Sequence, residues 1–271
     1  MFQLQFSFTT PEGIALLALL LFNAVSAVWR RYGGRKSSGK GNGNMEDHDF
    51  AVLPCIANRC SIFPKRYLRN PPPLDPRIIQ SLLDAAICGP YHGKCSKGHD
   101  HPAKFVVLGK QAMVKMQHLT LDYYDKRWRQ VGWGSGRSGT AEEYQAWRTM
   151  TYNEIEGRWG PCSYMIAIVM RRQSGPKLLP EWEEAAAVAA AVQNMHLQST
   201  QFPHLACYWS SWHDAARDSD EMKAFLRMQE QDKCLGFFIV AQKDKFSSNR
   251  RSHNDWKRKA TNRSMIVEWR K

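Results

Sequence analysis

Residues 183–199 read EEAAAVAAAVQNMHLQS, with six alanines and two valines between Ala185 and Val192. No other stretch of this 271-residue chain constrains the fold as tightly. Alanine is the best helix former, so the run predicts a helix over Glu183–Ser199. Methyl side chains also set how near a neighbour can come, because interaxial distance depends on the side chains at the contact. A helix so uniformly small on one side packs closely against another element, a second subunit among the candidates.

The rest of the pattern fits a chain built around such a helix. Ile78, Ile79, Leu82, Leu83 and Ala86 recur at helical spacing, and NPPPLDP before them sets a start, which predicts a helix from about Asp75 to Cys88. Ala112–Asp125 and Glu142–Glu156 also read as helices. FVVLG (Phe105–Gly109), SYMIAIVM (Ser163–Met170), HLACYW (His204–Trp209) and GFFIVAQ (Gly236–Gln242) are short, apolar and strand-like. GWGSGRSG (Gly132–Gly139) has neither the spacing of a phosphate-binding P-loop nor a strand before it, and reads as a flexible connection. Strands and helices mix without a regular strand–helix repeat, which predicts an α+β fold.

Charge narrows the function classes. The formal net charge is +13, but it sits at the ends. Arg30–Lys40 holds five basic residues and no acid, and Lys243–Lys271 holds ten against three acids. The middle is nearly neutral, with no helix-turn-helix, zinc-finger or RNP-like pattern, which argues against a nucleic-acid partner. The seven cysteines are scattered, odd in number and free of CxxC, as expected of free thiols in a reducing compartment.

The N-terminus raises a separate question. Gly13–Trp29 is an apolar run near the short end of the membrane-spanning range, and RRYGGRK follows at once. The positive-inside rule then predicts a single-pass membrane anchor with the catalytic domain on the cytosolic side. A cleaved targeting peptide of a soluble organellar protein is the alternative, since Val25-Ser26-Ala27 resembles a cleavage site; a buried core helix is the third reading. Residues 1–29 are thus read as an anchor or targeting segment, 30–44 as a basic flexible linker ending in SSGKGNGN, and 45–271 as the folded domain.

PYHGKCSKGHDHP (Pro90–Pro102) is the densest cluster of chemically active residues. Its spacing, H-x2-C-x3-H-D-H, matches no familiar zinc pattern, and two lysines sit among the would-be ligands, which disfavours a cation site. A solvated turn is the bland reading. The third is a loop for an anionic cofactor, in which small residues let backbone N–H groups approach and His and Lys add donors. Its place between a buried helix and a buried strand suits the third.

NRCSIFPKRYL (Asn58–Leu68), a helix, GPYHGK, FVVL, then LPEWEEAAAVAAAVQNMHLQS (Leu179–Ser199) and ACYWSSW (Ala206–Trp212) follow one another in an order that resembles the nitroreductase-like FMN flavoproteins. The resemblance runs from Asn58 to the C-terminus. It implies a mixed, mostly antiparallel central sheet flanked by helices, and a homodimer with the flavin at the two-fold interface. It implies bound FMN, NADH or NADPH as reductant, and an electron-poor small-molecule acceptor of the nitroaromatic, quinone or enone class. By the same resemblance Arg59, Cys60 and Ser61 lie at the phosphate and ribityl chain. Pro90, Tyr91, His92, Gly93 and Lys94 line the ring side, and Gln193 and Asn194 reach the cofactor from the central helix. Trp209, Ser210 and Ser211 form the loop whose backbone N–H approaches N5, and Arg258 and Lys259 complete the phosphate site. The flavin carries the chemistry, so no catalytic side chain and no metal is expected. The sequence departs from the family at Cys60, where a second basic residue is common, and at Trp212, where glycine is frequent. Pro102-Ala103 replaces an aromatic Pro-Trp, and Cys95–His101 reads as an insertion. The competing hypothesis is a membrane-anchored metal-binding or adaptor protein without flavin.

Overall fold

The computed structural model describes residues 52–91, 93, 101–134, 136–155, 160–172, 179–243, 268 and 270. The predicted anchor, linker and targeting segment lie outside them. Among the described residues no helix is long and apolar enough to cross a membrane.

Four strands form one sheet: β1 (Ala103–Leu108), β2 (Tyr164–Met170), β3 (Leu205–Ser210) and β4 (Lys233–Gln242), in the order β1-β2-β4-β3. Every pairing is antiparallel, so among the described strands the sheet is not mixed as expected. The two central strands carry near-continuous apolar runs because both their faces are covered. Ile166, Ile168, Met170, Phe238 and Val240 point to one face, and Met165, Ala167, Val169, Phe237 and Ile239 to the other.

The first face is covered by α2 (Pro76–Ile87) and α5 (Glu181–Gln198). Asp75 caps α2 by accepting the Arg77 N–H, with Pro76 at the first helical position, where a missing N–H costs nothing. Leu82 and Ala86 of α2 and Val188, Ala191 and Met195 of α5 meet over the sheet. The small residues of α5 allow the close approach anticipated from sequence. A β-carbon added at Gly89, just past α2, would lie 2.9 Å from the Ala191 β-carbon. Glu184 of α5 is fully buried and paired with Arg172.

The second face is covered by α3 (Lys110–Val131), which runs a turn and a half beyond the predicted Asp125. α4 (Ala141–Glu154) starts with a reciprocal cap between Thr140 and Glu143. Trp133, Tyr144, Trp147 and Tyr124 form a separate aromatic core there, with Trp128 stacked on Tyr144 at 4.8 Å. This core explains the glycine-rich segment. It is a closed turn, not a loose connection: the Trp133 and Arg137 backbones exchange both hydrogen bonds (2.9 and 3.0 Å), and Gly132, Gly134 and Gly136 take positive φ. Two short helices, α6 (Asp214–Arg217) and α7 (Asp220–Phe225), follow β3 and were not foreseen.

Candidate cofactor site

The short helix α1 (Pro54–Asn58) ends at Arg59, where the backbone becomes extended. The chain then passes the outer edge of β3, with the Ile62 N–H donating to the Cys207 carbonyl at 3.0 Å. This path sets Arg59 beside the last turns of α5. Its Nη1 lies 3.5 Å from His196 Nδ1, and His196 Nε2 lies 3.1 Å from the Cys60 carbonyl. His196 is buried against Phe238. Burial, and then the Arg59 charge, push its pKa down to about 4. The ring is therefore neutral at physiological pH. A carbonyl can only accept, so Nε2 carries the proton and Nδ1 faces the guanidinium with its lone pair.

Cys60 turns its half-buried thiol toward the other face of the sheet, against the α3-side core. Burial raises its pKa, and Arg59, Lys243 and Arg66 pull the other way. The charged groups acting on this thiol are thus all cationic. Lys243, directly after β4, is only 7 % exposed, and its N–H donates to the His204 carbonyl. Half-buried Arg59, buried Lys243 and exposed Arg66 all act on this one thiol, and such groups suit a phosphate dianion by charge and by the donors they carry. Ser61 beside them is exposed.

The other end of α5 borders a cavity of about 680 Å³ lined by Pro90, Tyr91, Trp182, Ala186, Ala187 and Ala190, with Glu183 as its one charged residue. Alanines here leave room that larger side chains would fill. Trp182 is 69 % exposed at its rim. Gln193, exposed, and Asn194, half-buried, lie between cavity and cations. From Ala190 to His196 the helix rises roughly 9 Å. One helix thus carries a mostly apolar, ring-sized recess at one end, amide groups in the middle and cations at the other.

Trp209, Ser210 and Ser211 sit at the exit of β3, not together in a loop as expected. Trp209 and Ser210 belong to the strand, and only Ser211 is beyond it. Trp209 alternates onto the α5 face with Leu205 and Cys207, and its indole donates to the Leu235 carbonyl at 2.8 Å. Trp212 follows with φ of 61°. A bulky residue in this left-handed region is strained by about 1–3 kcal/mol. The frequent glycine of the resembled family at this position is what such a backbone would favour.

His92, Lys94, Arg258 and Lys259 lie outside the described residues. Gly93 is described, and packs between Tyr91 and Leu179, where a β-carbon would collide with both. The Cys60 carbonyl lies 3.1 Å from His196 Nε2, and its side chain packs against the α3-side core. Of the loop residues weighed as metal ligands, only His101 is described. Its Nδ1 accepts the Ala103 N–H at 3.0 Å. Among the described residues no group of three His, Cys, Asp or Glu is placed to hold a metal.

Sequence reasoning missed His196, Arg66, Lys243 and Trp182. Lys243 follows directly on β4, and nothing in the sequence alone marked it as buried. His196 sits three residues beyond Gln193, which puts it almost one turn along the same helix. Nothing local marked Arg66 as a neighbour of Lys243, because the two are brought together only by the sheet.

No family model and no curated protein matches the sequence. Solved structures do match the fold. A nitroreductase-like family protein from Bacillus cereus superposes with a TM-score of 0.50 at 16% identity, over 72% of this chain and 87% of the other. The fold is nitroreductase-like. The FMN- and NADPH-dependent nitroreductase NfnB from Sphigopyxis sp. strain HMH matches with a TM-score of 0.50 at 13% identity, over 80% of this chain and 97% of that one.

Proposed function

We propose that the protein is an NAD(P)H-dependent flavin oxidoreductase that holds FMN along α5. The observation that carries this is the polarity of that helix: a cationic cluster of Arg59, Arg66 and Lys243 at one end and an apolar recess at the other, on a nitroreductase-like frame. Arg59 and Lys243 hold the phosphate. Neutral His196 cannot compete with it as a second cation, and its Nδ1 keeps the Arg59 fork turned toward the site. Gln193 and Asn194 serve as donors and acceptors along the ribityl chain. Pro90 and Tyr91 wall the ring, and the Ser211 N–H approaches its N5 side. Lys94, Arg258 and Lys259 retain their assigned roles at the ring and the phosphate. When bound, FMN supplies two-electron chemistry between a nicotinamide and an electron-poor acceptor of the nitroaromatic, quinone or enone class. The chain's own residues bind, orient and exclude water; none of them needs to transfer a proton.

The exposed Trp182 and the small outer face of α5 support a homodimer closed across this helix, which would cover the cavity from outside. The test is direct. Purified full-length protein should be yellow or take up added FMN, and NADH or NADPH should bleach the flavin band under anaerobic conditions. A folded protein that binds no FMN at micromolar concentration refutes the proposal.

A further inference from the structure

Trp212 combines two features that oppose each other. Its backbone is in the left-handed region, at φ 61°, yet its side chain is one of the largest available and is buried. The indole is held firmly. Its N–H donates to Thr120 Oγ1 at 2.9 Å, and the ring meets Phe237 edge-on with centroids 5.7 Å apart. Thr120 is fully buried in the middle of α3, and its hydroxyl donates in turn to the Met116 carbonyl.

The loop before Trp212 is fixed from other sides as well. The Trp212 N–H donates to Ser210 Oγ at 3.3 Å, and Arg217 Nη1 donates to the Ser211 carbonyl at 2.9 Å. The Ser210 carbonyl lies over Gly236, whose φ is 115° and where a β-carbon would collide with it. The Ser211 carbonyl is committed to Arg217. The Ser211 N–H donates to no protein acceptor among the described residues.

We propose that Trp212 is a positioning residue: anchored to Thr120 of α3, on the face of the sheet away from α5, it locks the exit of β3 so that the Ser211 N–H is held in one orientation, toward the flavin N5. This rests on the reading of FMN at this site. Oxidised N5 is a hydrogen-bond acceptor, whereas reduced N5 carries a hydrogen and would be opposed by the same donor. A rigidly held N–H therefore favours oxidised over reduced flavin. Loosening it should weaken oxidised FMN selectively.

The experiment compares wild-type full-length protein with Trp212→Phe, which keeps the ring but loses the donor, and Thr120→Val, which keeps the shape but loses the acceptor. Thr120→Ser, which retains the hydroxyl, is the rescue. Affinity for oxidised FMN is measured by fluorescence titration and the two-electron midpoint potential by dye equilibration. We expect oxidised FMN to bind about tenfold more weakly to both loosened variants with reduced FMN unchanged, so that the potential rises by about 30 mV. Thr120→Ser should stay near wild type. Equal weakening of both redox states, with no change of potential, would mean that Trp212 is structural only and would overturn the proposal. Wild-type protein that binds no FMN would instead refute the flavin reading, and this role with it.

Discussion

The neutral state assigned to His196 has a consequence for acid stability. In the unfolded chain its imidazole titrates at its ordinary 6.5, and in the folded protein at about 4. Burial is the larger cause and the Arg59 charge the second. Between these values the unfolded state binds a proton that the folded state refuses. Stability is then complete above pH 6.5 and falls as the pH drops through the window toward 4. At about 1.4 kcal/mol per pH unit, this single site contributes about 3 kcal/mol across the window. His196→Gln isolates the effect, since its amide can donate to the Cys60 carbonyl and accept from Arg59 but cannot titrate. Urea unfolding at a series of pH values from 7 to 4 gives the free energy of both proteins. The advantage of wild type over the variant should shrink by about 3 kcal/mol over that range. His101 and His213, also held below their ordinary values by burial, are common to both proteins and cancel. Parallel pH curves would refute the assignment, as would an imidazole resonance of His196 titrating near 6.5.

Three other perturbations test separate parts of the structure. Arg59→Ala should cost about 1.5–3 kcal/mol of FMN affinity, the range for hydrogen bonds to charged groups, and leave riboflavin affinity unchanged; equal loss for both ligands in a calorimetric titration would place Arg59 away from the phosphate. Gly89→Ala forces a β-carbon against the Ala191 β-carbon and the backbone of α5, and should lower the unfolding free energy by about 1–3 kcal/mol, a loss that Gly89→Ala in an Ala191→Gly background should partly recover. Arg172→Ala removes the cation paired with the fully buried Glu184 and should lower the unfolding free energy by about 3–5 kcal/mol in urea titration; a loss under about 1 kcal/mol would show that the pair adds little to stability.

The sequence made the layers of this fold legible where burial was total. β2 is apolar at every residue because helices cover both its faces, so its bounds were read to within one residue. The helix α5 was legible because alanine signals both helix formation and close packing. The N-terminal end of β4 was missed: Lys233 and Leu235 are not buried, and Gly236 interrupts the run with a positive φ that looks like a strand break. The short helices α6 and α7 were missed because four to six residues carry too little periodicity to register. GWGSGRSG was misread because glycine content was taken as looseness. Its three left-handed positions are needed to close a turn beneath Trp133, and the tryptophan between the glycines was the clue to that.

The site was legible only in so far as its residues advertise themselves alone. Arg59 and Tyr91 belong to motifs, whereas the roles proposed for Lys243, Arg66 and His196 come from proximity across the fold. Lys243 illustrates the physical reason. A lysine after a buried strand is unremarkable in one dimension, since most such residues turn outward into water. Here the Asn58–Leu68 segment crosses the end of β4, as the bond from the Leu68 N–H to the Gln242 carbonyl fixes at 2.8 Å, and it closes over the lysine before it can turn out. The same crossing brings Arg59 and Arg66 to the same place. Gathering like charges costs stability by mutual repulsion, and by desolvation where they are buried, as Lys243 is and Arg59 partly is. On the proposed reading the phosphate of FMN offsets that cost, so anion binding should stabilise this protein more than its affinity for the neutral part of the cofactor would suggest.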